Sequence, residues 1–176
     1  AGSSIQEFEL RTTDYDTDRH FFLSQFFRNN YANALKQYPL VSSPINITRV
    51  EIWITNRSAS VQDFRSIVAF ADIGEFDWNR FVSPTIPLRN PPTANVGGQI
   101  VTIPDNDAND INILLQENSG NGQIRDVSTV DGRLQAFNNL QQGTDYSLLQ
   151  NARKLDPSEF RMHPQLGFIS LQRRLN

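Results

Sequence analysis

The sequence predicts an α+β domain in which a mainly antiparallel sheet is covered by amphipathic helices and the chain ends in a β-hairpin. Three observations support this class. Apolar residues recur every three or four positions in some segments, which is typical of amphipathic helices, and alternate with polar residues in others, which is typical of strands. The helical and strand patterns are interspersed along the chain, and the connections are long enough for antiparallel returns.

Residues 5–12 (IQEFELRT) predict the first strand, and the acidic stretch DYDTD follows it. Asp14, Asp16 and Asp18 have the alternate spacing that opens a calcium-binding loop, but the glycine and the closing glutamate of such a loop are absent. We therefore interpret the acidic cluster as the cap of a helix that begins near residue 18 and favour no bound cofactor or metal.

That helix is predicted over residues 18–37, before Pro39, and contains the aromatic run HFFLSQFFRNNY. The residues at helical spacing that form its apolar face are Phe22, Leu23, Phe26, Phe27, Tyr31, Ala34, Leu35 and Tyr38. A membrane-surface helix would carry more lysine and arginine, so the aromatic run is interpreted as a buried face lying on a sheet. Phe21, beside that face, is the candidate for an exposed contact.

The middle of the chain predicts further strands and helices. Residues 50–55 alternate as a strand with one apolar face, and residues 65–74 are apolar on both faces, which favours a central strand. A long proline-rich loop is expected over 76–99. The elements predicted after it are a strand at 99–104, a helix at 104–118 and a helix at 126–141 ended by Gly143.

The segment 159–171 predicts the final hairpin, with EFRMH and GFISL as its arms and Pro164–Gly167 as its turn. We expect the second arm to be an edge strand that pairs with a continuation of the chain, so that 1–176 is a single domain excised from a much larger protein. The predicted interaction edge consists of Phe168, Leu171, Arg173, Arg174 and Leu175.

The composition restricts the classes of function. The chain has 176 residues, a net charge of −3, two histidines and no cysteine. The charge gives no basic footprint for nucleic acid, no apolar run is long enough to span a membrane as a helix, and thiolate chemistry is excluded. Without a GxSxG motif or a phosphate-binding loop, no catalytic residues are assigned and an enzyme is not expected.

Four stretches resemble the SprA/Sov family: HFFLSQFFRNNYANAL, SPINITRVEIWITNRS, FRSIVAFADIGE and GTDYSLLQNARKLDPSEFRMHPQLGFISL. The family comprises very large outer-membrane translocons of the type IX secretion system, which are also needed for gliding motility in Bacteroidetes. The resemblance implies a soluble structural module that contacts other parts of the same chain, translocon subunits or secreted cargo. It further implies a location at the outer membrane, on the cell surface or the periplasmic side, and no catalytic residues.

The alternative is a carbohydrate-binding module of the cell surface, suggested by Trp53, Trp78 and the long polar loop. A sugar stacked on an indole ring would perturb tryptophan emission, so titration with soluble glycans separates the two interpretations.

Overall fold

The computed structural model describes residues 16–55, 64–71, 74–75, 92–106, 108, 115–116, 124–138 and 140–175. Within these ranges the chain forms eight strands and two α-helices. In chain order the elements are β1 (His20–Phe22), α1 (Gln25–Ala34), β2 (Trp53–Thr55), β3 (Arg65–Phe70), β4 (Thr93–Val96), β5 (Gln99–Thr102), α2 (Val130–Asn138), β6 (Tyr146–Lys154), a 3-10 helix (Pro157–Glu159), β7 (Phe160–His163) and β8 (Phe168–Leu171).

The first sheet has the order β1-β8-β7, and both of its pairings are antiparallel. The predicted hairpin is confirmed, since β7 and β8 pair across a turn that ends at Gly167. The prediction of a helix over 18–37 is wrong at its start, because His20–Phe22 forms β1 and pairs with Phe168–Ser170. This pairing satisfies backbone groups that a helix would otherwise have bonded internally.

Strand geometry also reverses the expected exposure of two aromatic residues, because neighbouring side chains of a strand point to opposite faces. Phe21 packs against the buried cluster of Leu155, Ile169 and Leu171, whereas Phe22 is 42% exposed. The prediction that Phe21 is the exposed contact is therefore wrong.

The helical part of the aromatic run is α1, which buries Phe26, Phe27 and Ala34. These residues pack with Val96 of β4 and with Leu166 in the final hairpin turn. The packing places α1 between the two-stranded β4–β5 sheet and the turn of the final hairpin.

The second sheet has the order β2-β6-β3, with antiparallel pairing on both sides of β6. The expectation that 65–74 contains a central strand is wrong, because β3 (Arg65–Phe70) pairs only with β6 among the described residues and lies at the edge. The central strand is β6, which the sequence pattern did not predict. Val68 and Phe70 of β3 pack with Tyr146 against α2.

The predicted strand at 99–104 is confirmed as β5, which forms a two-stranded hairpin with β4. The predicted helix at 126–141 is confirmed in part as α2, whose Val130 and Leu134 are buried. The helix predicted at 104–118, the strand at 5–12 and most of the proline-rich loop fall largely outside the described residues.

The predicted fold class, an α+β sheet covered by helices, is wrong. The described residues form mostly antiparallel sheet, divided into three small sheets, with only two short helices. The error has a physical origin: a segment rich in phenylalanine and tyrosine suits a strand as well as an amphipathic helix, and long-range pairing decided for the strand.

Candidate functional site

The residues predicted as an interaction edge lie in and just after β8. The expectation that this strand is an unpaired edge is wrong, because β8 lies between β1 and β7 and has backbone partners on both sides. The segment after it is also tied down: the Gln172 amide donates to the Glu159 carbonyl at 2.8 Å, and the Leu175 amide donates to the Asp18 carbonyl at 3.1 Å. The role of these residues in binding a partner stays a prediction.

Leu171, Arg173, Arg174 and Leu175, four of the five predicted residues, line a cleft of about 480 Å³. We call it the terminal cleft. Its lining residues are Ile54, Arg153, Leu155, Ser158, Glu159, Leu171, Gln172, Arg173, Arg174 and Leu175. A cleft of this volume falls in the range that binds a small ligand or a few residues of a peptide. Phe168 is not among the lining residues; its ring packs near Phe22 and Tyr31 on the other face of the first sheet.

The apolar part of the cleft belongs to the cluster that joins the first and second sheets. Leu155 and Leu171 are 6% and 4% exposed and pack with Ile54. Leu175, by contrast, is 43% exposed. The terminal cleft therefore combines a fixed apolar floor with one exposed leucine at its rim.

Arg153 and Glu159 form a bidentate ion pair in the wall of the cleft. The guanidinium donates to the two carboxylate oxygens at 2.9 and 2.8 Å, and one of these oxygens also accepts from the Asp156 amide at 2.9 Å. The hydrogen bond from Arg153, followed by the one from the Asp156 amide, lowers the pKa of Glu159 to about 2. Glu159 is thus ionised at neutral pH and has a structural role.

The same carboxylate completes a capping box at the 3-10 helix. The Asp156 side chain accepts from the Ser158 amide while Glu159 accepts from the Asp156 amide. The sequence DPSE carries this signal, with proline at the first helical position and glutamate three residues after the cap. The capping box holds Ser158 and Glu159 in the wall of the cleft, and it could have been found from the sequence.

Arg173 and Arg174 differ from Arg153 because neither is held by a close ion pair. Arg174 lies 3.7 Å from an Asp16 oxygen and its side chain is 61% exposed. Asp16 is bound more closely by Arg19, at 2.7 Å. For Arg173, no ion pair joins it to another residue in the described ranges. Both guanidinium groups are exposed at the rim, where the charge of Arg173 also acts on Glu159.

The residues that line the cleft have a positive net formal charge. Three arginines and one glutamate line the cleft, so three positive charges and one negative charge leave +2. The whole chain carries −3. The terminal cleft is therefore a local cationic site on an acidic protein.

One set of contacts outside the cleft joins a serine, a histidine and an aspartate, the residue types of a hydrolase triad. His20 Nδ1 lies 2.9 Å from Ser170 Oγ, and His20 Nε2 lies 3.6 Å from Asp16. The histidine side chain is about half exposed, and the Asp16 carboxylate already bonds to Arg19 at 2.7 Å. A triad needs a buried carboxylate that orients the imidazole, so this arrangement is not assigned a catalytic role.

Outside the cleft, one further histidine and one glutamate have structural contacts. His163 stacks on the Phe168 ring with centroids 4.1 Å apart. Glu75 accepts a hydrogen bond from the Phe26 amide at 2.9 Å and thereby caps the start of α1. Trp53 is half-buried in β2, and Trp78 lies outside the described residues.

The described part of the chain has neither a metal-binding cluster nor a membrane-spanning helix. It contains no group of three or more histidine, aspartate or glutamate side chains placed to hold a metal ion. Among the helices formed by these residues, none has the length and apolar character that crossing a bilayer requires.

Comparison with known protein families places the chain in one of them. The model of the SprA_N family, described as motility related/secretion protein, matches residues 1–172. No curated protein matches the chain.

Proposed function

The chain belongs to the SprA_N family of motility-related and secretion proteins, and on that premise we propose that it is a non-catalytic interaction module of the type IX outer-membrane translocon. In this role it is a single domain within a much larger protein. It contacts other parts of that protein, translocon subunits or secreted cargo, at the outer membrane on the cell surface or the periplasmic side. The four stretches that resemble the SprA/Sov family support this finer assignment.

The observation that carries the interaction role is the terminal cleft. Leu155, Leu171 and Ile54 give it an apolar floor, and exposed arginines stand at its rim. Binding sites commonly combine an apolar surface with a few polar groups that fix orientation. The structural bonds of Glu159 account for the carboxylate in the cleft without assigning it to catalysis.

The experiment that tests the proposal begins with the native protein in its source cells. Antiserum raised against the 176-residue chain should detect a band many times larger than 20 kDa in the outer-membrane fraction. The native gene is then altered to delete residues 16–175, and export of cargo and gliding are measured. We expect both to be lost while the shortened protein remains at its normal amount in the outer membrane.

Two results would overturn the proposal. If the antiserum detects a small protein outside the envelope fraction, the assignment to the translocon is wrong. If export and gliding are normal after the deletion, the proposed role in secretion and motility is wrong. A control deletion of matched length elsewhere in the same protein shows whether loss of export is specific to this segment.

A further inference from the structure

Within the terminal cleft, one arginine already binds a carboxylate of the chain itself. Arg153 holds Glu159 through two parallel hydrogen bonds of 2.9 and 2.8 Å. This fork geometry is the arrangement by which arginine recognises carboxylates, and charge-assisted bonds of this kind are roughly twice as strong as neutral ones. Arg173 and Arg174 present the same group at the rim: Arg174 makes only a long ion pair of 3.7 Å with Asp16, and Arg173 acts on Glu159 through its charge without a close ion pair among the described residues.

The charge of the ligand follows from the charge of the cleft. With a formal charge of +2 on its lining, the site attracts an anionic ligand. Two exposed arginines are too few for the repeated phosphate contacts that nucleic-acid binding uses. The ligand is therefore an anion with few charges.

The floor of the cleft adds a second requirement. Ile54, Leu155 and Leu171 present apolar side chains directly beside the arginines, and Leu175 is 43% exposed at the rim. Because Leu155 and Leu171 are already almost completely buried, the apolar surface still open to water in the cleft belongs to the half-buried Ile54 and the exposed Leu175. A small inorganic anion would leave these two side chains in water, whereas a ligand that also carries an apolar side chain would cover them and gain the free energy of that burial.

We propose that the terminal cleft binds an extended acidic peptide segment in which carboxylate side chains flank an apolar side chain. Arg173 and Arg174 bind the carboxylates, and the apolar side chain lies on Ile54 and Leu175. The proposal rests on the proposed function in one respect, since the segment would belong to a secretion or motility partner.

The test is an NMR titration of the isotope-labelled 176-residue chain with a blocked pentapeptide of alternating glutamate and leucine. We expect amide shifts to change at residues 153–159 and 171–175, with saturation that weakens as sodium chloride is raised. The matched control peptide replaces each glutamate with lysine, and we expect it to cause no saturable change.

Variants assign the binding to the two arginines. We expect the double substitution Arg173→Gln and Arg174→Gln to weaken binding by about tenfold or more, since it removes two charge-assisted contacts. The matched control is Arg133→Gln, which neutralises an exposed arginine on α2 and should leave the affinity unchanged. Equal binding of the lysine peptide, or unchanged affinity in the double variant, would overturn the proposal. Shift changes confined to other residues, or binding to anionic lipid vesicles in place of the peptide, would also overturn it.

Failure of this inference is distinguishable from failure of the proposed function. If the deletion in cells abolishes export but the peptide does not bind, the module has its role and the ligand chemistry is wrong. If the peptide binds through the two arginines but the deletion leaves export and gliding unchanged, the ligand chemistry stands and the translocon role is wrong.

Discussion

Replacing Gly167 by alanine tests the junction between the final hairpin and α1. Gly167 has a φ of +63°, and a Cβ atom built at this position would overlap three carbons of the Phe27 ring. Phe27 is 7% exposed and belongs to the core around α1, so its ring has little room to move. The left-handed backbone costs about 1–2 kcal/mol for alanine. Displacement of a packed core side chain costs about 1–3 kcal/mol more.

We therefore expect Gly167→Ala to lower the free energy of unfolding by about 2–5 kcal/mol, measured by urea denaturation. The matched control is Gly98→Ala, because Gly98 also has a positive φ, of +90°, but a Cβ atom there would meet nothing within 4 Å. Gly98→Ala should lose only the backbone part, about 1–2 kcal/mol. If the two variants unfold at the same urea concentration, the close packing of Phe27 on the hairpin is refuted.

Three further predictions concern groups elsewhere in the fold. Glu75→Ala removes the acceptor that caps α1 and should cost about 1 kcal/mol of unfolding free energy in urea denaturation. Tyr146 is buried and its hydroxyl donates a hydrogen bond to Asp131, so Tyr146→Phe should lower the free energy of unfolding by about 1.5–3 kcal/mol in the same assay. Because Arg153 lowers the pKa of Glu159 from 4.5 to about 2, this carboxylate stabilises the fold above about pH 4.5, and the contribution disappears as the pH falls towards 2. We expect Glu159→Gln to be less stable than the wild-type chain by about 1 kcal/mol or less at neutral pH. This difference, measured by thermal unfolding, should shrink as the pH falls from 4.5 towards 2. A difference that stays constant with pH would contradict the prediction.

Elements defined by local chemistry could be predicted from the sequence. The final hairpin follows from its turn, in which Gly167 adopts the positive φ that turn geometry requires. The start of the chain could not be predicted in the same way. His20–Phe22 pairs with Phe168–Ser170, almost 150 positions away, and no short window of sequence contains that information.

The central strand β6 escaped prediction because its pattern is irregular. Leu148 and Leu149 are adjacent apolar residues, Asn151 has a φ of +53°, and the register with β3 shifts between Arg65 and Ile67. A bulged strand loses the strict alternation by which strands are identified.

Part of the candidate site could be predicted from the sequence. Arg173, Arg174 and Leu175 directly follow a strand and were predicted as an interaction edge, although the strand is not an unpaired edge. Ile54 and Leu155 could not be assigned to the same site, because the cleft forms only where the first and second sheets meet.

The pairing of β1 with β8 also constrains the order of folding. Contacts between residues that are distant in sequence form slowly, since a long loop must close before the contact is made. During synthesis, the partner of β1 in the first sheet emerges about 150 residues after β1 itself. Until then Phe21 lacks Ile169 and Leu171, two of the buried residues it packs against in the finished fold. The terminal cleft is bounded by that late segment, so a chain that has not finished folding has no cleft with which to engage a partner.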